Sequence, residues 1–230
     1  MKEKGVTLME LLIAVTLLSL LSVAMFTAVR IGLNAYAKTD DRLMTNRRVA
    51  GAQRVILEEI EGLVPVLALC QGGGPLIRAP FFQGETGVMR LVSSFSLQQG
   101  WRGQPQILEI FVIPGEREGV RLVVNETLYS GPRGAGQFCT GVHKFPPVNA
   151  GPQSFVLADK LAYCRFSYLW PALDINTPPT WHSDWKADAW PLAVRVEMAP
   201  LEPDPTRVQN ISVTAPIYLH RNPEIPYGDY

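Results

Sequence analysis

Lys4-Gly5-Val6-Thr7-Leu8-Met9-Glu10-Leu11-Leu12-Ile13-Ala14 opens the chain, behind a short charged head of Lys2, Glu3 and Lys4. After Gly5 the only charge before Arg30 is Glu10, and Leu11 to Val29 is an unbroken uncharged run of 19 residues. Wound as a helix, that run would span about 28 Å, close to the hydrocarbon thickness of a bilayer. All of its faces are apolar and its flanks are charged. A soluble core helix needs only one apolar stripe, so the pattern predicts a transmembrane helix over residues 6–29.

Three kinds of N-terminal segment fit a basic head and an apolar run. A cleaved secretory signal has a shorter apolar region and a small-residue cleavage site. Ala35-Tyr36-Ala37 has that form, but Arg30 stands between it and the run. A plain anchor leaves Glu10 unexplained, because a charge at the centre of a spanning helix costs about 2.5–3.5 kcal/mol and less near an interface. The third reading accounts for glycine, glutamate and apolar run together. The stretch from Lys4 to Ala14 resembles the N-terminal cleavage and methylation motif of type IV prepilins and type II secretion pseudopilins.

In that family a membrane peptidase cuts after the glycine on the cytoplasmic side, and the new amine is methylated. By this resemblance residues 1–5 are a leader, cleavage falls between Gly5 and Val6, and Val6 is N-methylated. Glu10 is then the fifth residue of the mature chain, where the family carries a glutamate. Val6 departs from the phenylalanine that the family usually has. The physical logic stands beside the resemblance: an ammonium and a carboxylate attract strongly where the dielectric is low, and either alone there is costly. Within one helix the spacing allows only a poor pair. Between staggered neighbours, Glu10 of one subunit would meet the amine of another, which makes Glu10 the candidate assembly residue.

No proline occurs between Val6 and Val64, so the helix is expected to continue past the membrane to Pro65. Residues 30–64 read as an amphipathic periplasmic helix. Its charges are Lys38, Asp40, Asp41, Arg42, Arg47, Arg48, Arg54, Glu58, Glu59 and Glu61, taken as a solvated face rather than a nucleic-acid surface. Val49, Ile56, Ile60 and Leu63, with Leu57 and Val64, recur at helical spacing and offer a stripe to a sheet. Residues 65–230 read as a β-rich domain. Strands are expected at 88–98, 106–113 and 120–128, the last two joined by a hairpin over 114–119. Further strands are expected near 154–158 and 160–170, with a long Pro- and Trp-bearing loop over 171–190. Leu192, Val194, Val196 and Met198 alternate with Ala193, Arg195, Glu197 and Ala199, and a final edge strand carries Pro216. The fold class is α+β: a long N-terminal helix on a mostly antiparallel sheet, the pilin-like plan.

Composition agrees with an ordered chain. Of 230 residues 47% are hydrophobic and 18% charged, which excludes disorder, and the net charge of zero attracts no nucleic acid. Three cysteines exclude a disulfide-built scaffold. Cys70 and Cys139 both adjoin Gly-rich loops and are the better pair, while Cys164 shares the core face of its strand and reads as a buried thiol. His143, His182 and His220 show no ligand spacing, and no G-x-S-x-G occurs. No enzyme activity, cofactor or metal is therefore expected. Trp181, Trp185 and Trp190, with Asp184 and Asp188 among them, form one loop. It reads as an anchor of the loop on the sheet or a partner-docking surface, with calcium or sugar binding as lesser alternatives.

The C-terminal half narrows the likeness. Arg165-Phe166-Ser167-Tyr168, then Trp181 and Trp185, then Trp190-Pro191-Leu192-Ala193-Val194-Arg195-Val196-Glu197, resemble in order the minor pseudopilin J family of the type II (general) secretion pathway. The Pro191-Leu192 pair is inverted relative to that family. The resemblance implies a structural subunit at the tip of a short periplasmic pseudopilus, with pseudopilins I, K and the major pseudopilin as partners. It also implies a prepilin peptidase/methyltransferase. A minor pilin of a type IV pilus or competence system shares the N-terminal motif and stays open. Lys2 and Lys4 on the cytoplasmic side place a single-pass anchor in the inner membrane and the domain in the periplasm.

Overall fold

The computed structural model describes residues 7–71, 75–97, 101–172, 177–203 and 212–218. Gly5, Val6 and His220 lie outside the described residues. Among the described residues, helix α1 (Leu8–Glu61) is followed by ten strands and a short helix α2 (Pro132–Ala135). The chain divides into two compact units, Met1–Met44 and Thr45–Tyr230.

In the first unit every side chain from Thr7 to Ala37 is exposed. Leu8–Ala37 is long and apolar enough to cross a membrane, and none of it is buried. Its serine and threonine hydroxyls are satisfied by the helix itself. Thr16, Ser19, Ser22 and Thr27 each donate to a carbonyl three or four residues back, all at 2.8 Å. Such local bonding lets a polar side chain sit in hydrocarbon without an unpaired group.

The second unit is an antiparallel sheet covered on both faces. Strands β3 (Gln83–Gly84), β4 (Val88–Ser96), β5 (Trp101–Pro114), β6 (Val120–Leu128), β7 (Phe155–Trp170), β9 (Ala193–Pro200) and β10 (Ser212–Pro216) run in the order β10-β9-β7-β6-β5-β4-β3. Strand β8 (Thr180–His182) pairs with the end of β7. Val49, Ala52, Ile56 and Ile60 of α1 share one core with Met89, Leu91, Leu108, Ile110, Leu122 and Val124. On the other face Val92 and Ile107 pack with Val64, Val66, Ala68 and Phe81. That second layer includes the small sheet of β1 (Leu67–Cys70) and β2 (Ile77–Pro80). A disulfide joins Cys70 to Cys139, just past α2, with the Cα atoms 5.2 Å apart.

Several elements differ from the sequence reading. Helix α1 ends at Glu61, not at residue 64, because Leu63 bridges to Ser93 and the Val64 N–H donates to Val92 O at 2.8 Å. The compact unit that holds the sheet begins at Thr45, since the outer helix supplies part of the core. Strands β1, β2 and β3 were not expected, nor was β8 inside the loop expected over 171–190. Two strands expected around residue 159 are one strand with an irregularity, where Lys160 takes a positive φ of 54° and the register to β6 and β9 shifts. Arg121 secures this bulge, donating to both Asp159 oxygens at 2.8 and 3.0 Å. Those hydrogen bonds hold the Asp159 carboxyl below its ordinary pKa. Gly119 closes the β5–β6 hairpin at φ 74°, where a Cβ would lie 2.2 Å from the Leu161 carbonyl oxygen. Only glycine fits there.

Glu59, counted above with the solvated charges, is 1% exposed. Helical spacing from Ala52 and Ile56 leads to it as directly as to Ile60.

One buried charge is fully partnered. The Arg90 guanidinium, 1% exposed, donates to Glu109 Oε1 at 2.7 Å, to Pro146 O at 2.6 Å and to Gln83 Oε1. Removing one side of such a pair leaves the other charge buried and costs about 3–5 kcal/mol. Arg90→Ala is therefore expected to destabilise by about that amount. Urea unfolding monitored by tryptophan fluorescence measures it, and a loss under 1 kcal/mol would show the network to be idle.

Candidate functional site at the helix start and the tryptophan loop

Helix α1 begins with a side-chain cap. Thr7 precedes the first helical residue, and its Oγ1 accepts the Glu10 N–H at 3.3 Å. Thr7-Leu8-Met9-Glu10 thus has the spacing of a capping box, a signal that the sequence reading passed over. Glu10 sits in the first turn, where a carboxylate faces the positive end of the helix dipole. It is exposed, and among the described residues its carboxylate has no ion-pair partner. The site is thus an acid held at the start of a long, exposed apolar helix.

The tryptophan loop is tied down along its length. Trp185 is 3% exposed and its ring centroid lies 4.6 Å from that of Trp170. The Trp185 N–H donates to Gly84 O at 2.9 Å, and its indole donates to Ala189 O at 2.8 Å. Gly84 permits this approach, since a Cβ there would stand 2.8 Å from the Trp185 Cβ. Trp190 is also buried, with its indole N–H unpartnered. Trp181 is only partly covered and lies under the Arg195 guanidinium at 4.0 Å. So Trp185 and Trp190 are consumed by packing, and of the three only Trp181 keeps an accessible edge.

The loop acids also have local partners. Asp184 pairs with Lys186 at 3.1 Å and Asp188 with His143 at 3.0 Å. His182 contacts Thr180 at 2.8 Å. Among the described residues no three His, Cys, Asp or Glu side chains gather as a metal site would require. Cys164 is buried, and burial pushes its thiol up to about 12.

Residues 1–26 match the family model described as the prokaryotic N-terminal methylation motif. No curated protein matches the chain. The motif supports a protein of the pilin or pseudopilin type, and its layout of an apolar N-terminal helix followed by an antiparallel sheet domain is consistent with the pilin-like fold. The match implies processing by a prepilin peptidase and assembly with other pilin-like subunits, and the one such apolar helix among the described residues is consistent with a single-pass membrane anchor.

With the Cys164 thiol at about 12, only about one molecule in ten thousand carries the thiolate at pH 8. Alkylation of the folded chain at that pH should therefore leave Cys164 unmodified, and unfolding in urea under non-reducing conditions should expose it. Modification of Cys164 in the folded chain, read by peptide mass, would contradict its burial.

Proposed function

We propose that this chain is a minor pseudopilin, a structural subunit at the tip of a type II secretion pseudopilus that primes assembly and aids export of folded proteins across the outer membrane. The observation that carries the class is the methylation motif on an exposed apolar helix that continues into the seam of a sheet domain. The secretion assignment rests on the order of sequence features in the C-terminal half, from Arg165-Phe166-Ser167-Tyr168 to the Pro191-Leu192-Ala193-Val194 strand. On this reading the chain is a building part, not a catalyst, and has no cofactor. Its anchor lies in the inner membrane and the β-rich domain, residues 65–230, in the periplasm.

Assembly on this reading follows from electrostatics in a low dielectric. Cleavage after Gly5 turns Val6 into a cationic terminus, and methylation keeps its charge. Glu10 of one subunit neutralises that amine on a neighbour, so two groups that are each costly in hydrocarbon become tolerable together. Because the pair forms only at one stagger, it selects the register of stacking. The partners are then pseudopilins I and K and the major pseudopilin.

Intact-mass analysis of native protein should show a chain lacking residues 1–5 and carrying one methyl group. A retained leader would end the processing reading. Glu10→Ala is expected to insert in the membrane normally and to be lost from assembled pseudopili, measured by fractionation against shearing. Normal assembly of that variant would remove the pairing. Co-purification with pseudopilins I and K supports the secretion assignment, whereas co-purification with pilus-tip proteins would move the chain to a type IV pilus or competence system.

A further inference from the structure

The segment that follows α1 directly, Gly62 to Val64, is stitched to β4. Leu63 bridges to Ser93, the Val64 N–H donates to Val92 O at 2.8 Å, and the Ser94 N–H donates to Gly62 O at 2.8 Å. Inside this seam lies Glu59, and neither of its carboxyl oxygens has a hydrogen-bond partner. An ionised carboxylate so placed would forfeit its hydration with little in return beyond the nearby Ser93 hydroxyl.

Of the groups around Glu59 only Ser93 favours ionisation, and none supplies a positive charge among the described residues. From β4 comes the neutral Ser93, wholly buried, whose oxygen accepts the Phe95 N–H at 3.2 Å. Strand β5 presents Gln106 opposite Ser93, and its amide donates to Gln104 O at 3.2 Å. From β6 comes Glu126, in the same cross-strand row as Leu91 and Leu108, two members of the core beneath α1. On α1 itself Glu58 is adjacent, with its own charge met by Arg54 at 3.0 Å. Among the described residues no cation pairs with Glu59.

We propose that Glu59 is a proton-operated fastener between the last turns of α1 and the sheet: as a neutral acid it lies flat in the seam, and once ionised it draws water in and loosens the helix end from β4–β6. The inference stands on the seam alone and does not depend on which machine the chain serves. Burial, the largest influence, and repulsion from Glu126 and Glu58 raise the Glu59 carboxyl to about 7, against the pull of Ser93. The sign follows. The folded chain holds the proton at pH values where the unfolded chain has released it. Stability from this group is complete below about 4.5, falls as pH rises toward 7, and levels off above that.

The test uses the full chain in detergent micelles. Unfolding in urea at pH 5–8 is compared for wild type and Glu59→Gln, the isosteric mimic of the neutral acid. The wild-type unfolding constant, relative to that of the variant, should rise about tenfold per pH unit until pH 7 and then level. Hydrogen exchange at the amides of Val64 and Ser94 should show the same pH-linked opening in wild type and not in the variant. Carboxyl carbon resonance in the wild type, with Glu59 identified by its absence from the variant, should titrate near 7. Equal pH profiles for the two chains, or a Glu59 signal titrating with the exposed glutamates, would overturn the proposal. So would a pH step that vanishes in Glu126→Gln and persists in Glu59→Gln, since the proton would then belong to Glu126.

Discussion

One unbroken helix must take its apolar residues out of water in two different ways. From Leu8 to Ala37 the apolar side chains surround the helix and all are exposed, the pattern of a helix able to cross a membrane. From Val49 to Ile60 they narrow to a stripe, and the sheet of the same chain covers it. Everything else follows from that division. The sheet needs one apolar face for α1, which Met89, Leu91, Leu108, Ile110, Leu122 and Val124 provide by strand alternation. Its other face, around Val92 and Ile107, is then free to take the layer built by β1, β2 and the segment around α2.

Much of this was legible because two periodicities are strong. The run from Leu11 to Val29 admits little but a long apolar helix, and the alternation from Leu192 to Ala199 admits little but a strand. Pro216 reads as an edge residue, and β10 is at the sheet edge. Where the reading faltered, a local feature competed with the period. Lys160 at positive φ looks like a break in sequence and is a bulge in one long strand. Strands β1 and β2 are four residues each and are framed by Pro65, a Gly-rich loop and Pro80, so turn signals outweighed them. Glu10 was found by its spacing from Gly5, while the Thr7 cap beside it was overlooked. Glu59 was hidden by its charge: its position on the stripe pointed inward, and its residue type pointed out.

The buried polar groups fall into contrasting kinds. Arg90 meets oxygens from Glu109, Gln83 and Pro146, and the Phe145 ring lies 5.6 Å from its guanidinium carbon, so its charge is answered from several sides. Tyr168, fully buried, donates to the Glu85 carbonyl at 3.0 Å, and burial raises its hydroxyl well above its ordinary value. Glu59 and the Trp190 indole have no such answer. The partnered groups fix how loops and strands lie over the sheet. An unanswered acid instead makes the helix seam responsive to its surroundings.

The Cys70–Cys139 link has a consequence for when the molecule is finished. It ties the strand just after α1 to the segment following α2, across a sequence separation of 69 residues. Such a bond persists only where thiols are oxidised. A newly made chain held among reductants would be able to lay α1 on one face of its sheet, yet would lack the covalent clasp on the other. Final maturation would then await delivery to an oxidising space, so redox environment and topology together would set the order in which the two sides of the domain are completed.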